Sequence, residues 1–436
     1  MVGAGSSMRA VAGTTVASSG RGGVTPPLRA FAAVSALAAF ASAQEPDKKP
    51  AFELKDGDRV VFLGDGFLDR ERHYGSIETM LTRRFPGKHL TFRNLAWEGD
   101  SVDVQLRPLG FPSLEDLLAQ TKPTVIFVSY GMNESFAGEA GLAAFENGYN
   151  ALLDRITKQG RQIILVSPLC FMPAKGRIAL PAEQNNNLSR YGQTVQSIAE
   201  NRNYRFVNIT APLKNHIQFL QSELDHEDPN SQISVLLRTD IYSDDGIHLN
   251  QSGYRSICDD FERDLLRQTL FEIIIDVEKK VIFARGATIS KELFSQESIS
   301  FTSVSDRLPE FSYFIINGLT SGEHILRCGG VGLDEKNETD WAKRDLPNDI
   351  FTPENRQIYD IEHCIVEKSR LWFHRWRAHN GEYIWGRRAK ASEGNAGNEQ
   401  FPAEFAEIDR RIAELEAKIF ELAKPVPHTY ELVPEK

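Results

Sequence analysis

Short apolar runs alternate with longer amphipathic stretches from about residue 58 to residue 270. The apolar runs are rich in Val, Ile and Phe, which is typical of strands that are covered on both faces. Five such strands are predicted, at Arg59–Leu63, Leu90–Leu95, Thr124–Ser129, Gln162–Ser167 and Tyr204–Asn208. Helical spacing is found at Tyr74–Phe85, Leu114–Gln120, Leu142–Gln159, Gln184–Asn201 and after Asn250. This alternation predicts an α/β domain with a parallel sheet, in which ligands bind at the carboxyl ends of the strands.

A different pattern begins near Phe271. Short strands separated by turn residues are predicted at Phe271–Val277, Lys280–Ala284, Ser298–Ser303, Phe311–Ile316 and Glu323–Cys328. They indicate a small β-rich module that ends near Trp341. Helical patterns follow at Thr352–Arg377 and in a last helix, where apolar residues recur at spacings of three and four between Phe405 and Leu422. That stripe fits a coiled-coil seam that binds a protein partner or a helix packed on its own domain, and its short length favours the second. The Trp372–Arg377 cluster fits either ligand recognition or helix packing.

The N-terminus has the features of a secretory signal peptide. Arg21 and Arg29 precede an apolar run at 30–40, and Ala41-Ser42-Ala43 offers a cleavage site before Gln44. We therefore expect export to the periplasm or the extracellular space. The run is too short to cross a bilayer as a mature helix, so no stable membrane span is expected. The chain divides into a signal peptide at 1–43, a linker at 44–55, an α/β domain at 56–270, a β-rich module at 271–345 and a helical C-terminal region at 346–436.

Composition and charge exclude some classes of function. The 436 residues are 41% hydrophobic and 25% charged, as in an ordinary soluble protein, with a formal net charge of −10. That negative charge argues against a nucleic-acid partner or binding to anionic membranes. The four cysteines are widely spaced and form no Cys-x-x-Cys pair, so we predict no metal site and no cofactor. Buried thiols are the favoured interpretation, with a Cys328–Cys364 bridge as the alternative.

Residue types that occur in catalytic sites follow several of the predicted strands. Gly64-Asp65-Gly66 ends the first strand, Gly99 follows the second, Asn133 follows the third, and Asp245 stands three residues before His248. A serine-type ester hydrolase requires a nucleophile on a turn, a histidine base, a carboxylate that orients it and donors for the oxyanion. Each turn taken singly also fits an ordinary loop. Together, at successive strand ends, they indicate an ester-hydrolysing site.

This set of motifs resembles the SGNH (GDSL) hydrolase family over residues 58–270. The resemblance implies a three-layer α/β/α sandwich of the flavodoxin-like type and an activity on small-molecule or glycan esters, because members are mostly esterases and lipases. In the family's first block, Gly-Asp-Ser, Gly66 stands here in place of the nucleophilic serine. Carried over position by position, the resemblance implies that His248 is the base and that Asp245 orients it. It also implies that Gly99 and Asn133 join the Gly66 N–H as oxyanion donors.

Gly66 leaves open whether the chain is an enzyme. Removing the nucleophile from a serine hydrolase costs on the order of a million-fold in turnover, roughly 8 kcal/mol of barrier. One hypothesis is that His248 activates a water in the space that the serine side chain would fill. The alternative is a catalytically inactive module that binds a glycan or an acyl ester. Ser101 also lies in a Gly-Asp-Ser sequence, but as nucleophile it would remove Gly99 from the oxyanion hole, so it is the less favoured position.

Overall fold

The computed structural model describes residues 50–108, 110–157, 160–173, 182–226, 241–266, 271–295, 298–309, 312–343, 352–377 and 402–435. The predicted signal peptide and residues 44–49 of the predicted linker lie outside these described residues.

A five-stranded parallel sheet forms the centre of the first half of the chain. Its strands are β1 Arg59–Gly64, β2 Thr91–Asn94, β3 Val125–Ser129, β4 Gln162–Val166 and β5 Arg205–Val207. They lie in the order β2-β1-β3-β4-β5, with Val60 of β1 opposite Phe92 of β2 and Val125 of β3. The strand order reverses at β1. In open α/β sheets, ligands bind beside such a reversal, at the carboxyl ends of the strands.

Helices cover both faces of this sheet. They are α1 Gly66–Arg70, α2 Ser76–Arg84, α3 Leu114–Thr121, α4 Leu142–Ile156, α5 Ala182–Asn201, α6 Thr210–His226 and α7 Gln251–Leu265. Because successive side chains of a strand point to opposite faces, Val60 and Phe62 pack with α2 and α7, whereas Val61 and Leu63 pack with α3, α4 and α5. The result is the predicted α/β/α sandwich.

The second half of the chain begins with a β-rich module. Its strands are β6 Phe271–Asp276, β7 Val281–Arg285, β8 Ala287–Phe294, β9 Ile299–Ser305, β10 Ser312–Asn317, β11 Glu323–Cys328, β12 Val331–Asn337 and the distant β13 His428–Pro434. They form one sheet in the order β10-β6-β7 and another in the order β12-β11-β13-β9-β8. The two sheets share one apolar core, to which Ile273 and Phe314 contribute from the first sheet and Phe301 and Tyr430 from the second.

The described residues of the second half also form helices α8 Glu338–Trp341, α9 Pro353–Trp376 and α10 Pro402–Leu422. Thr352 and Asn355 form a capping box at the start of α9. The helix then packs on the first domain, where its fully buried Lys368 forms an ion pair with Glu78 of α2. Helix α10 packs on α9 and buries part of its apolar stripe, so the prediction of intramolecular packing is confirmed.

The predicted elements agree with the structure in type, with differences at their ends. Strands β8, β12 and β13 were not predicted. Strand β13 lies in the region at 346–436 that we expected to be helical, and it pairs with β11 and β9 because Tyr430 and Leu432 alternate into the core of the module. The four cysteines are buried free thiols, so the alternative of a Cys328–Cys364 bridge is wrong. No helix within the described ranges is long and apolar enough to cross a membrane.

Candidate active site

The turn after β1 brings Gly66 to the carboxyl edge of the sheet. A Cβ atom at Gly64 would lie 2.4 Å from the Ser129 carbonyl oxygen, so glycine allows the close approach of β1 and β3 at this point. Asp65 caps α1, because its Oδ1 accepts a hydrogen bond from the Phe67 N–H at 3.2 Å. Helix α1 begins at Gly66, and the N–H groups of a first helical turn are not used within the helix.

The space beside Gly66 faces two side chains from other parts of the sequence. A Cβ atom at Gly66 would lie 3.7 Å from Glu98 Cγ and 3.8 Å from His248 Nε2. These are ordinary van der Waals distances, so a Cβ atom fits at this position without displacing a neighbour. The position of the family's nucleophile therefore adjoins the imidazole, as the sequence predicted.

The loop before α7 holds Asp245 and His248 in a tight turn. Asp245 Oδ2 accepts from His248 Nδ1 at 2.6 Å, and Oδ1 accepts from the backbone N–H groups of Ile247 at 2.9 Å and His248 at 2.8 Å. Partial burial alone would raise the pKa of Asp245, but these hydrogen bonds outweigh it and hold that pKa well below its usual range. Asp244 is exposed and contacts Asn250 at 3.3 Å, so Asp245 is the carboxylate that orients the ring.

Glu98 provides a second carboxylate at the imidazole. Its Oε1 lies 3.1 Å from His248 Nε2, and its side chain is 53% exposed, compared with 20% for His248. The ring therefore lies between two carboxylates, with Asp245 at Nδ1 and Glu98 at Nε2. In a serine hydrolase Nε2 contacts the nucleophilic hydroxyl. Here the loop after β2 supplies a carboxylate at that place.

The predicted oxyanion donors lie on adjoining loops at the same edge of the sheet. Asn133 Nδ2 donates to the Asp100 carbonyl oxygen at 2.8 Å, which joins the loop after β3 to the loop after β2. The amide nitrogen carries two hydrogens, and this bond uses one of them. Gly99 adopts φ +86° in a turn where Asp100 N–H donates to the Trp97 carbonyl oxygen. That left-handed conformation favours glycine.

Buried carboxyl groups lie beneath these loops. Burial, together with the negative charge of Glu134, raises the pKa of Asp65 to about 8. Burial also raises the pKa of Glu134, although its carboxylate accepts from the Val102 N–H at 2.8 Å. Asp100 is buried as well and binds Arg107 through two contacts of 2.7 and 2.6 Å. Burial therefore favours the protonated form of Asp65, whereas the carboxyl groups in contact with the imidazole are those of Asp245 and Glu98.

The end of α9 fixes the loop after β2. The guanidinium of Arg377 donates to the carboxylate of Asp69 and to the carbonyl oxygen of Ala96, and it lies 4.1 Å from the ring centroid of Trp97. Trp372 Nε1 donates to the carbonyl oxygen of Asn94 at 3.0 Å. The Trp372–Arg377 cluster therefore packs against the first domain, which favours the packing interpretation over ligand recognition.

Two further expectations concern Ser101 and metal ions. Ser101 Oγ accepts a hydrogen bond from the Val104 N–H at 3.0 Å within its own turn, whereas the contact of His248 Nε2 is with Glu98. Among the described residues, no group of three or more His, Cys, Asp or Glu side chains could hold a metal ion.

The structure brings together most of the residues that the sequence singled out. Gly66, Asp245 and His248 meet, and Asn133 contacts the loop that carries Gly99. Their catalytic roles stay predictions. Sequence reasoning missed the contact between Glu98 and His248, although a carboxylate directly before a predicted oxyanion donor was a signal that could have found it.

Comparisons with known proteins concern the family and the fold of the chain. A model of the GDSL-like lipase/acylhydrolase family matches residues 62–256. Among solved structures, the chain is similar to a gut microbial diltiazem-metabolizing enzyme, with 19% identity and a TM-score of 0.66 over 88% of this chain and 99% of that one. This likeness shows the fold. No curated protein sequence matches the chain.

Two acetylxylan esterases are also similar, with lower scores. One is a catalytic mutant from Geobacillus stearothermophilus, with 20% identity and a TM-score of 0.36 over 50% of this chain and 99% of that one. The other, the acetyl xylan esterase AlAXEase, has 18% identity and a TM-score of 0.34 over 48% of this chain and 99% of that one.

Proposed function

Because a model of the GDSL-like lipase/acylhydrolase family matches residues 62–256, we propose that the chain hydrolyses carboxylic esters by direct attack of water, without an acylated serine. The observation that carries this proposal is the position of Gly66. A Cβ atom there would lie 3.8 Å from His248 Nε2, so the attacking oxygen of the family would stand beside the imidazole. Loss of the serine side chain leaves space comparable to one water, whose share of liquid volume is about 30 Å³.

The remaining groups supply the rest of the chemistry. His248, oriented by Asp245, transfers protons, and the N–H groups of Gly66 and Gly99 bind the oxyanion together with the Asn133 amide. An oxyanion hole and substrate binding alone accelerate hydrolysis by roughly 10³–10⁴ over water. Positioned acid–base catalysis contributes a further 10²–10⁴ or so. The wild-type chain is therefore a slow esterase compared with a serine-containing relative.

The substrates to test first are short acyl esters and acetylated sugars. Wild-type protein should release acid from at least one of them, with no burst of product in the first turnover. A fluorophosphonate probe should leave the protein unlabelled because there is no activated serine. Stoichiometric labelling of any serine would overturn the direct attack of water.

A binding module is the second candidate, and the contact between Glu98 and His248 favours it. That carboxylate lies 3.1 Å from Nε2, where an attacking nucleophile would otherwise make its contact. Measurable affinity for an acyl ester or a glycan, with wild-type protein inert on every ester, would favour binding over catalysis.

Export is also part of the proposal, supported by the charged and apolar pattern before Gln44. The mature protein recovered from outside the cytoplasm should begin near Gln44. An intact N-terminus on protein retained in the cytoplasm would contradict export.

A further inference from the structure

We infer that Glu98 is a catalytic residue, the general base that removes a proton from the attacking water; this inference rests on the proposed ester hydrolysis. The carboxylate is within hydrogen-bond distance of His248 Nε2, at 3.1 Å, and its half-exposed side chain is accessible from the solvent. It stands next to Gly99, a predicted oxyanion donor. An ester whose carbonyl oxygen accepts from that donor would therefore have its carbonyl carbon close to Glu98.

The space beside Gly66 is lined by both groups, so a water that enters it would lie against Glu98 and His248. The position of an added Cβ atom is 3.7 Å from Glu98 Cγ and 3.8 Å from His248 Nε2. A water at non-bonded distance from Gly66 would lie farther out than this Cβ position, on the side lined by Glu98 and His248. The two groups that can exchange a proton with the water are thus present before substrate binds.

The hydrogen bonds determine which of Glu98 and His248 acts as the base and which acts as the acid. Asp245 accepts from the Nδ1–H of His248, and Glu98 accepts from the Nε2–H. The ring can therefore give the proton on Nε2, and the Glu98 carboxylate has further lone pairs that can accept a proton. Glu98 is then the base and His248 is the acid. A histidine facing a serine performs both tasks in turn.

The proton balance closes in one cycle. The water oxygen forms a bond to the ester carbonyl carbon, and one water proton passes to Glu98. The bond from that carbon to the alcohol oxygen breaks, and the leaving oxygen takes the Nε2 proton of His248. The proton on Glu98 then returns to Nε2 across the 3.1 Å contact. The products are the acid and the alcohol, and both side chains regain their starting protonation.

The loop that carries Glu98 is fixed on both sides, as a base held in position requires. Before Glu98, the Ala96 carbonyl oxygen accepts from Arg377, and the Trp97 N–H donates to the Gly64 carbonyl oxygen at 3.0 Å. After it, the Asp100 carbonyl oxygen accepts from Asn133 at 2.8 Å. The backbone of Glu98 is therefore held against β1 and the loop after β3.

The test compares Glu98→Gln with Glu98→Ala on the short ester that wild-type protein hydrolyses best. Gln keeps the shape and a hydrogen bond but is not a base, so kcat should fall at least about 100-fold with a smaller change in KM. Formate should restore part of the activity of Glu98→Ala by supplying a carboxylate in the vacated space, and should leave Glu98→Gln unchanged. Glu146→Gln, an exposed position in α4, is the matched control and should retain wild-type activity.

Each outcome decides the inference. A fall in kcat for both variants, with formate rescue of Glu98→Ala alone, supports it. Unchanged or increased activity of Glu98→Gln, with an active wild type, overturns the role of Glu98 and leaves the proposed esterase function standing. A wild type with no ester turnover overturns both.

Discussion

Gly66→Ser should convert the site to one with a serine nucleophile. The nearest atoms to the new Cβ lie at 3.7–3.9 Å, which is ordinary contact distance, so the free energy of unfolding should change by less than about 1 kcal/mol. The hydroxyl is one bond further from the backbone and can reach His248 Nε2, which is 3.8 Å from Cβ. The orientation of the ring by Asp245 is unaffected by this change.

The hydroxyl must compete with Glu98 for Nε2. Glu98 is 53% exposed, and a solvent-exposed ion pair contributes roughly 0.2–1 kcal/mol, so competition costs the new nucleophile a factor of about five at most. A serine nucleophile contributes on the order of a million-fold in a mature serine hydrolase. Even a small part of that gain exceeds the roughly fivefold cost of competition with Glu98, so we expect turnover to rise at least about 100-fold.

Turnover of p-nitrophenyl acetate and fluorophosphonate labelling measure this change. Gly66→Ser should give a product burst and label with one probe per chain. Adding Glu98→Gln to that variant should raise the rate by up to about fivefold, whereas the same substitution lowers the wild-type rate because it removes the base. A folded Gly66→Ser protein, with wild-type thermal stability, that neither labels nor gains activity would refute the geometry inferred for Gly66 and His248.

Three further changes test other parts of the structure. Asp245→Asn should lower kcat by about 10²–10⁴, because the amide removes the carboxylate that accepts from His248 Nδ1 and orients the ring. Steady-state kinetics at unchanged thermal stability measure this. Lys368→Ala should lower the free energy of unfolding by about 3–5 kcal/mol in urea denaturation, because it leaves Glu78 as a buried unpaired charge. Lys368→Met combined with Glu78→Leu should recover most of that loss, because it removes both buried charges. The pKa of Asp65 is raised from 3.8 to about 8, so between these pH values the folded protein binds more protons than the unfolded chain. The free energy of unfolding should therefore fall as the pH rises from about 4 to 8. Asp65→Asn should flatten that decline in unfolding curves measured across the range.

The α/β sandwich was predictable because the buried strands have a simple sequence signature. Strands such as β3, which is buried along its whole length, are mostly apolar on both faces, with Val125, Ile126, Phe127 and Val128 in succession. Strand β8 is mostly exposed and carries Ser, Lys and Glu, so its signal was too weak to predict. Strand β13 was missed for a different reason, because its partners β9 and β11 lie about 100 residues or more earlier in the sequence and no local pattern reveals such pairing.

The candidate site was predictable in part for a similar reason. Asp245 and His248 are three residues apart, so their contact follows from a local turn. The contact between Glu98 and His248 joins residues 150 positions apart and depends on the side-by-side arrangement of the loop after β2 and the loop before α7. The hydrogen bond from Arg377 to the Ala96 carbonyl oxygen joins residues 281 positions apart, and it depends on how α9 packs on the first domain.

The most direct test of the account is ester turnover by fluorophosphonate-treated wild-type protein, compared with His248→Ala under the same conditions. The account predicts measurable hydrolysis that the probe leaves unchanged and that falls by about 10²–10⁴ in His248→Ala, to the rate that the oxyanion hole and substrate binding alone support. Wild-type turnover no higher than that of His248→Ala, or turnover abolished by the probe, would contradict hydrolysis by water at Gly66.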